Sequence, residues 1–164
     1  MKLFGVTGWK NSGKTGLVER LVAHYTAAGL AVSTIKHAHH AFDVDTPGRD
    51  SHRHREAGAR EVLVSSRHRI ALMRELRGDP EPDLEELTIH LSPVDLVLVE
   101  GFKTSPHPKI ECHRAQTGQS LIAPGDPSIL AIASDKAVAA TVPVLSLDDT
   151  AGIADFITRY HGLA

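Results

Sequence analysis

The chain has 164 residues, 41% of them hydrophobic, and a formal net charge of −2. That length supports one buried core, the charge argues against a general nucleic-acid binder, and no apolar run approaches the roughly 18 residues of a membrane span. Cys112 is the only cysteine, which excludes an internal disulfide and a cysteine-rich zinc site and leaves it as a small apolar residue in a strand-like segment.

The first predicted element is a buried strand over LFGVT, residues 3–7. It runs directly into Gly8-Trp9-Lys10-Asn11-Ser12-Gly13-Lys14-Thr15, the phosphate-loop spacing G-x-x-x-x-G-K-[ST]. Gly8 and Gly13 let the backbone curl so that its N–H groups converge on an anion, and the helix predicted over 13–28 aims its positive end at the same point. That helix is marked by Leu17, Val18, Leu21, Val22 and Tyr25 at helical spacing, with Gly29 placed to end it. Lys14 is expected to reach the β- and γ-phosphates and Thr15 to ligate a magnesium ion, while Trp9, Lys10, Asn11, Ser12 and Gly16 border the nucleotide. Glycines and polar residues interrupt the start MKLFGVTGWKNSGK too early for a secretory leader, so a cytoplasmic chain with no membrane partner is expected.

A second strand, AVSTIK, leads into KHAHHAFDVDTPGRDSHRHREAGA, residues 36–59. In open α/β sheets ligands gather at the carboxyl ends of strands, so this stretch is a candidate substrate loop. It carries His37, His39, His40, His52 and His54 with Asp43, Asp45 and Asp50. Two readings stand side by side: imidazoles and carboxylates holding a transition metal, or a polar loop touching an anionic ligand through Lys36, Arg49 and the histidines. A short helix near 51–57 follows, then EVLVSS and RIALM, which SRHR joins as parallel-sheet strands or as an antiparallel hairpin. RGDPEPD reads as a surface turn and DLEELTIHL as a helix.

The run DLVLVEGF ends a strand in Glu100 and Gly101. An acidic group there is what a phosphate loop needs beside it, to hold magnesium through a water or to position an attacking water. Asp95, at the other end of the strand, reads as a turn residue. KIECH, ILAIAS and PVLSL predict three more strands, and GIADFITRYH a closing helix. Asp135, after ILAIAS, either accepts hydrogen bonds from the two nitrogens on guanine's edge or caps the helix-like KAVAAT. Strands alternating with helices imply a single α/β domain over 1–164, a P-loop three-layer sandwich with a largely parallel central sheet.

GWKNSGKT, IKHAHHAFDVDTPGRDSHRHREAGA, DLVLVEGFK, KIECHR and AIASD occur in the order found in the molybdopterin-guanine dinucleotide biosynthesis protein B (MobB) family, which the chain resembles from Leu3 to about Asp155. The resemblance implies a cytoplasmic, dimeric GTP-binding protein with weak GTPase activity. Such a protein works beside the molybdenum cofactor guanylyltransferase, which transfers GMP onto molybdopterin. By matching position, Gly8 to Thr15 would bind the triphosphate, Thr15 and Glu100 with Asp45 the magnesium, and Asp135 the base. Lys36, His37 and the 43–49 loop would lie near phosphate or pterin. Trp9 and Lys10 depart from the small residues usual in such a loop, and Ala38 stands where threonine or serine is expected between two histidines.

The leading expectation is therefore a GTP- and magnesium-binding adaptor with slow hydrolysis, in which Lys14 and Glu100 are the catalytic residues. No arginine finger stands out, although Arg49, Arg53 and Arg55 are candidates. Two rivals use the same loop: a small-molecule kinase, and a metal-delivery GTPase that binds through His37, His39 and His40.

Overall fold

The computed structural model describes residues 1–38 and 42–163. His39 and His40 therefore lie outside the described residues. In chain order the elements are β1 (Lys2–Thr7), α1 (Lys14–Ala27), β2 (Val32–Lys36), α2 (Asp50–Glu56), β3 (Glu61–Ser65), β4 (Ile70–Arg74), α3 (Leu84–Thr88), β5 (Leu96–Glu100), β6 (Lys109–His113), β7 (Ile129–Ser134), β8 (Val144–Ser146) and α4 (Thr150–His161). Where the sequence reading treats the chain as one domain, these elements gather into two compact units, one made of 1–37 and 84–164 and the other of 38–83.

The first unit is a six-stranded sheet in the order β2-β5-β1-β6-β7-β8. Every pairing in it is parallel. Parallel strands are buried on both faces, which is why β5 reads as the unbroken apolar run LVLV and has every residue buried. One face packs on α1 and α4 through Phe4, Val6, Leu17, Leu21, Tyr25, Ile153 and Ile157. The other packs Val97, Val99 and Ile35 against Leu84 and Leu87 of α3. This is the three-layer arrangement expected. Each fully buried leucine contributes about 1.5–3 kcal/mol relative to exposure, so the stripe on α1 is what presses the helix onto the sheet. The Tyr25 hydroxyl donates to the Ala154 carbonyl at 2.9 Å and Arg20 donates to Thr150 Oγ1 and the Leu147 carbonyl. These bonds lock α1 to α4 and to the end of β8.

The second unit holds α2 and the antiparallel hairpin β3-β4, with Leu63 opposite Leu72 and Ser65 opposite Ile70. Alternation puts Leu63, Ile70 and Leu72 on one face, and all three are exposed.

Two predicted helices differ. The helix expected over 83–91 stops at Thr88, and residues 136–141 (KAVAAT) are not helical. The carboxylate that would cap the latter is spent elsewhere: Asp135 Oδ1 accepts the Ala115 N–H at 2.9 Å.

Candidate functional site

Parallel pairing sets Val6 opposite Glu100, so the loop leaving β1 and the acidic end of β5 emerge side by side at the carboxyl edge of the sheet. That loop is built by backbone angles few side chains tolerate: Gly8 has φ +141°, Asn11 +64° and Gly13 +97°. A Cβ on Gly8 would fall 2.4 Å from the Cys112 carbonyl oxygen, so the loop lies directly on β6. Glycine is required there for two separate reasons, conformation and contact.

Thr15, in the first turn of α1, donates its hydroxyl to Glu100 Oε1 at 2.7 Å, and Lys36 Nζ at the end of β2 lies 3.4 Å from the same oxygen. The first turn of α1 and the end of β2 thus converge on Glu100, a residue only 8% exposed. Lys14 Nζ donates to the Trp9 carbonyl at 2.8 Å, across the mouth of its own loop. Burial lowers the Lys14 pKa below the usual lysine value, an effect that the Glu100 charge opposes. An ammonium depleted of water in this way gains most from an anion brought beside it. Thr7 Oγ1 and Ser12 Oγ are buried without a hydrogen-bond partner among the described residues, and buried hydroxyls of this kind mark a place where a ligand or water completes the set. Two unpartnered hydroxyls, one lysine and one carboxylate beside a glycine-bent loop fit a polyphosphate with a hard divalent cation.

The remaining predicted residues divide by unit. His37 follows β2, its N–H donates to the Glu100 carbonyl at 2.9 Å, and its ring lies 5.0 Å from that of Phe102. Gly101 is needed at that point, because a Cβ on it would meet His37 Cβ at 3.1 Å with φ at +97°. Gly16 lies in the first turn of α1, and Lys10 is exposed. Asp135 is exposed, with one carboxylate oxygen holding the turn after β6 and no helix to cap.

In the second unit Asp45, expected at the metal, accepts from Ser51 Oγ at 2.8 Å and from Thr46 N–H at 2.9 Å. Arg55, a candidate finger, makes a two-pronged bond to Asp43 at 2.8 and 2.9 Å and lies 3.2 Å from Glu75. The Arg55 bond holds the Asp43 pKa well below the usual carboxylate range. Arg53 pairs with Asp50 at 3.9 Å, and exposed Arg49 precedes α2. Among the described residues no group of three or more His, Cys, Asp or Glu side chains is arranged to hold a metal.

Sequence reasoning passed over the polar residues of β6. Lys109 is fully buried, donating to the carbonyls of Lys103 at 2.8 Å and Ser105 at 2.6 Å and to Asp126 Oδ2 at 3.1 Å. Glu111 is fully buried too, accepting the N–H groups of Ile122 and Ala123 at 2.9 Å. One pins the loop after Glu100, the other the loop after β6. Arg114 brings its guanidinium to within 3.1 Å of where a Cβ on Gly13 would lie. The signal was available: K-x-E-x-H alternates charge into a strand flanked by β1 and β7, where a central parallel strand is ordinarily apolar.

The MobB family model, described as molybdopterin guanine dinucleotide synthesis protein B, matches residues 3–135. The chain belongs to the MobB family. A molybdopterin-guanine dinucleotide biosynthesis adapter protein of Escherichia coli (strain K12) is 38% identical over 163 residues, covering 96% of this chain and 92% of its own. The crystal structure of Bacillus subtilis MobB superposes with a TM-score of 0.74 at 26% identity, over 97% of both chains. A MobB homolog from Bacillus stearothermophilus gives 0.73 at 25% identity over 100% of both. The MobB structures thus share the largely parallel P-loop fold.

Proposed function

We propose that this chain is an adapter in molybdopterin-guanine dinucleotide synthesis that binds GTP with magnesium and hydrolyses it slowly. The observation that carries the reading is the meeting of Lys14, Thr15 and Glu100 at one strand edge, with Thr15 Oγ1 2.7 Å from Glu100 Oε1, in a chain whose relatives are named for that pathway. Thr15, and Glu100 directly or through a water, would hold the magnesium ion, whose charge neutralises the phosphoryl oxygens during in-line attack. Lys14 leaves the Trp9 carbonyl to bind the β- and γ-phosphates, and Gly8 to Gly13 supply N–H donors. Glu100, already buried and hydrogen-bonded, orients the attacking water.

Turnover without a partner is slow in this reading, because Arg55, a candidate finger, is already paired with Asp43 and Glu75 inside the second unit. The molybdenum cofactor guanylyltransferase and molybdopterin are the partners that the pathway supplies, and the cytoplasm is where it runs. The exposed apolar face of Leu63, Ile70 and Leu72 supports a homodimer, since a contiguous face of this kind is ordinarily covered.

Calorimetry with GTP and ATP in magnesium tests the reading. GTP is expected to bind at least about tenfold more tightly, a difference of about 1.4 kcal/mol, and Lys14→Ala to abolish tight binding while far-UV circular dichroism is unchanged. Equal affinity of the variant and the native chain refutes the role of Lys14. Free phosphate as the only product separates this reading from a small-molecule kinase.

A further inference from the structure

The chain leaving Glu100 is turned by two left-handed residues in succession, Gly101 at φ +97° and Phe102 at φ +48°. Glycine takes that conformation freely. A phenylalanine does not, and backbone strain of this kind persists where the surrounding structure over-determines it, most often at ligand clamps and active sites. Phe102 is held by packing against the core beside β5, and the Gly101 N–H donates to the Val6 carbonyl at 3.1 Å. Lys103 follows. Its carbonyl accepts from the fully buried Lys109 Nζ at 2.8 Å, and the Ser105 N–H closes the turn on the Phe102 carbonyl at 3.2 Å. The backbone beneath Lys103 is therefore braced on both sides.

The Lys103 side chain is aimed at the phosphate loop. Its ammonium stands 4.2 Å from the centroid of the Trp9 ring, and the indole is itself pinned, its N–H donating to the Ser120 carbonyl at 2.8 Å. Lys14 Nζ rests on the same residue, on the Trp9 carbonyl at 2.8 Å. One tryptophan of the loop thus carries two ammonium groups, one on its ring and one on its backbone. Among the described residues neither lies within ion-pair distance of a carboxylate. Glu100 is engaged already by Thr15 and Lys36. Burial first, and then the charges of Lys103 and Lys36, lower the Lys14 pKa against the pull of Glu100. Positive charge crowded in this way is relieved by a polyanion. An aromatic face holds a partly exposed ammonium weakly compared with a phosphate oxygen, so Lys103 is free to exchange one for the other.

We propose that Lys103 is a second lysine for the terminal phosphate of a bound nucleoside triphosphate, held ready over the Trp9 ring. The inference rests on the triphosphate reading above and adds the residue by which the site tells a triphosphate from a diphosphate. The terminal phosphate is assigned because Lys14, the residue that takes the β- and γ-phosphates, rests on the same Trp9. Trp9, bulky where such a loop usually holds a small residue, is the support that keeps the Lys103 charge at that end of the loop. A lysine of the same chain then supplies part of the charge neutralisation that an arginine finger supplies elsewhere.

Calorimetry of the full chain in magnesium, with GTP and GDP titrated separately, tests the proposal. Lys103→Met keeps a stem over the ring and loses the charge, Lys103→Ala removes both, and Lys103→Arg keeps the charge. In the first two the preference for GTP over GDP should fall at least about fivefold relative to the native chain, through weaker GTP binding with GDP affinity changed less than about twofold. Lys103→Arg should stay within about threefold of the native preference. A smaller fall in Lys103→Met, or equal weakening of both nucleotides, overturns the proposal and leaves the triphosphate reading standing, because a residue that only shapes the loop acts on both nucleotides alike. A native chain that binds neither nucleotide refutes the triphosphate reading and this inference with it.

Discussion

Glu100→Gln separates what the carboxylate does for the fold from what it does for a metal. The substitution keeps shape and still accepts from Thr15 Oγ1, now 2.7 Å away, but loses the charge. A hydrogen bond to a charged acceptor contributes about 1.5–3 kcal/mol against about 0.5–1.5 for a neutral one, so this loss is about 1 kcal/mol. Lys36, at 3.4 Å with its side chain 58% exposed, adds little, because solvent screens exposed pairs to about 0–1 kcal/mol. The melting temperature should fall by only about 2–4 °C. GTP binding should respond differently. With magnesium the affinity should drop about tenfold to a hundredfold, about 1.4–2.8 kcal/mol. With the metal chelated it should change by less than about twofold, or improve as a negative charge leaves the phosphates. Calorimetry in magnesium and in chelator reads both arms. Equal losses in the two would show that Glu100 acts only on the loop's shape and refute its metal role.

Three further outcomes follow from the buried polar groups and the glycine loop. Gly8→Ala places a methyl 2.4 Å from the Cys112 carbonyl oxygen at φ +141°, and should cost about 2–4 kcal/mol in urea unfolding; a loss below about 0.5 kcal/mol would disprove the close approach. Glu111→Ala strands the Ile122 and Ala123 N–H groups and should cost about 3–5 kcal/mol, whereas Glu111→Gln, which keeps an acceptor, should cost about 1–2 by the same measurement. His107 has both ring nitrogens buried without a hydrogen-bond partner among the described residues, and burial, assisted by the Lys109 charge, lowers its pKa to about 4. The unfolded chain therefore binds more protons than the folded one between about pH 6.5 and 4, so stability is full above that window and falls as the pH drops through it. His107→Gln should flatten this part of a stability-against-pH curve, and an unchanged slope would assign it to other groups.

The order of strand, glycine loop and helix, the acidic end of DLVLVE and every strand were legible in the chain alone, because each is written in local spacing that physics reads within a few residues. The hairpin was one of two open options, and the parallel main sheet left β3 and β4 free to pair with each other. Other assignments turned on partners distant in sequence. Asp135 was weighed between a base and a helix cap, and the Ala115 N–H, from a different loop, occupies one of its oxygens. Arg55 looked available until Asp43 and Glu75 surrounded it. Lys109 and Glu111 alternate through a strand-like segment, but that they are buried depends on two loops from elsewhere bringing carbonyls and N–H groups to meet their charges. Residue types and short-range periodicity thus specified the strands and the phosphate-loop spacing. Which polar groups stay free for a ligand, and which are consumed in holding loops, was settled only when the chain closed on itself and the competing partners came within hydrogen-bond distance.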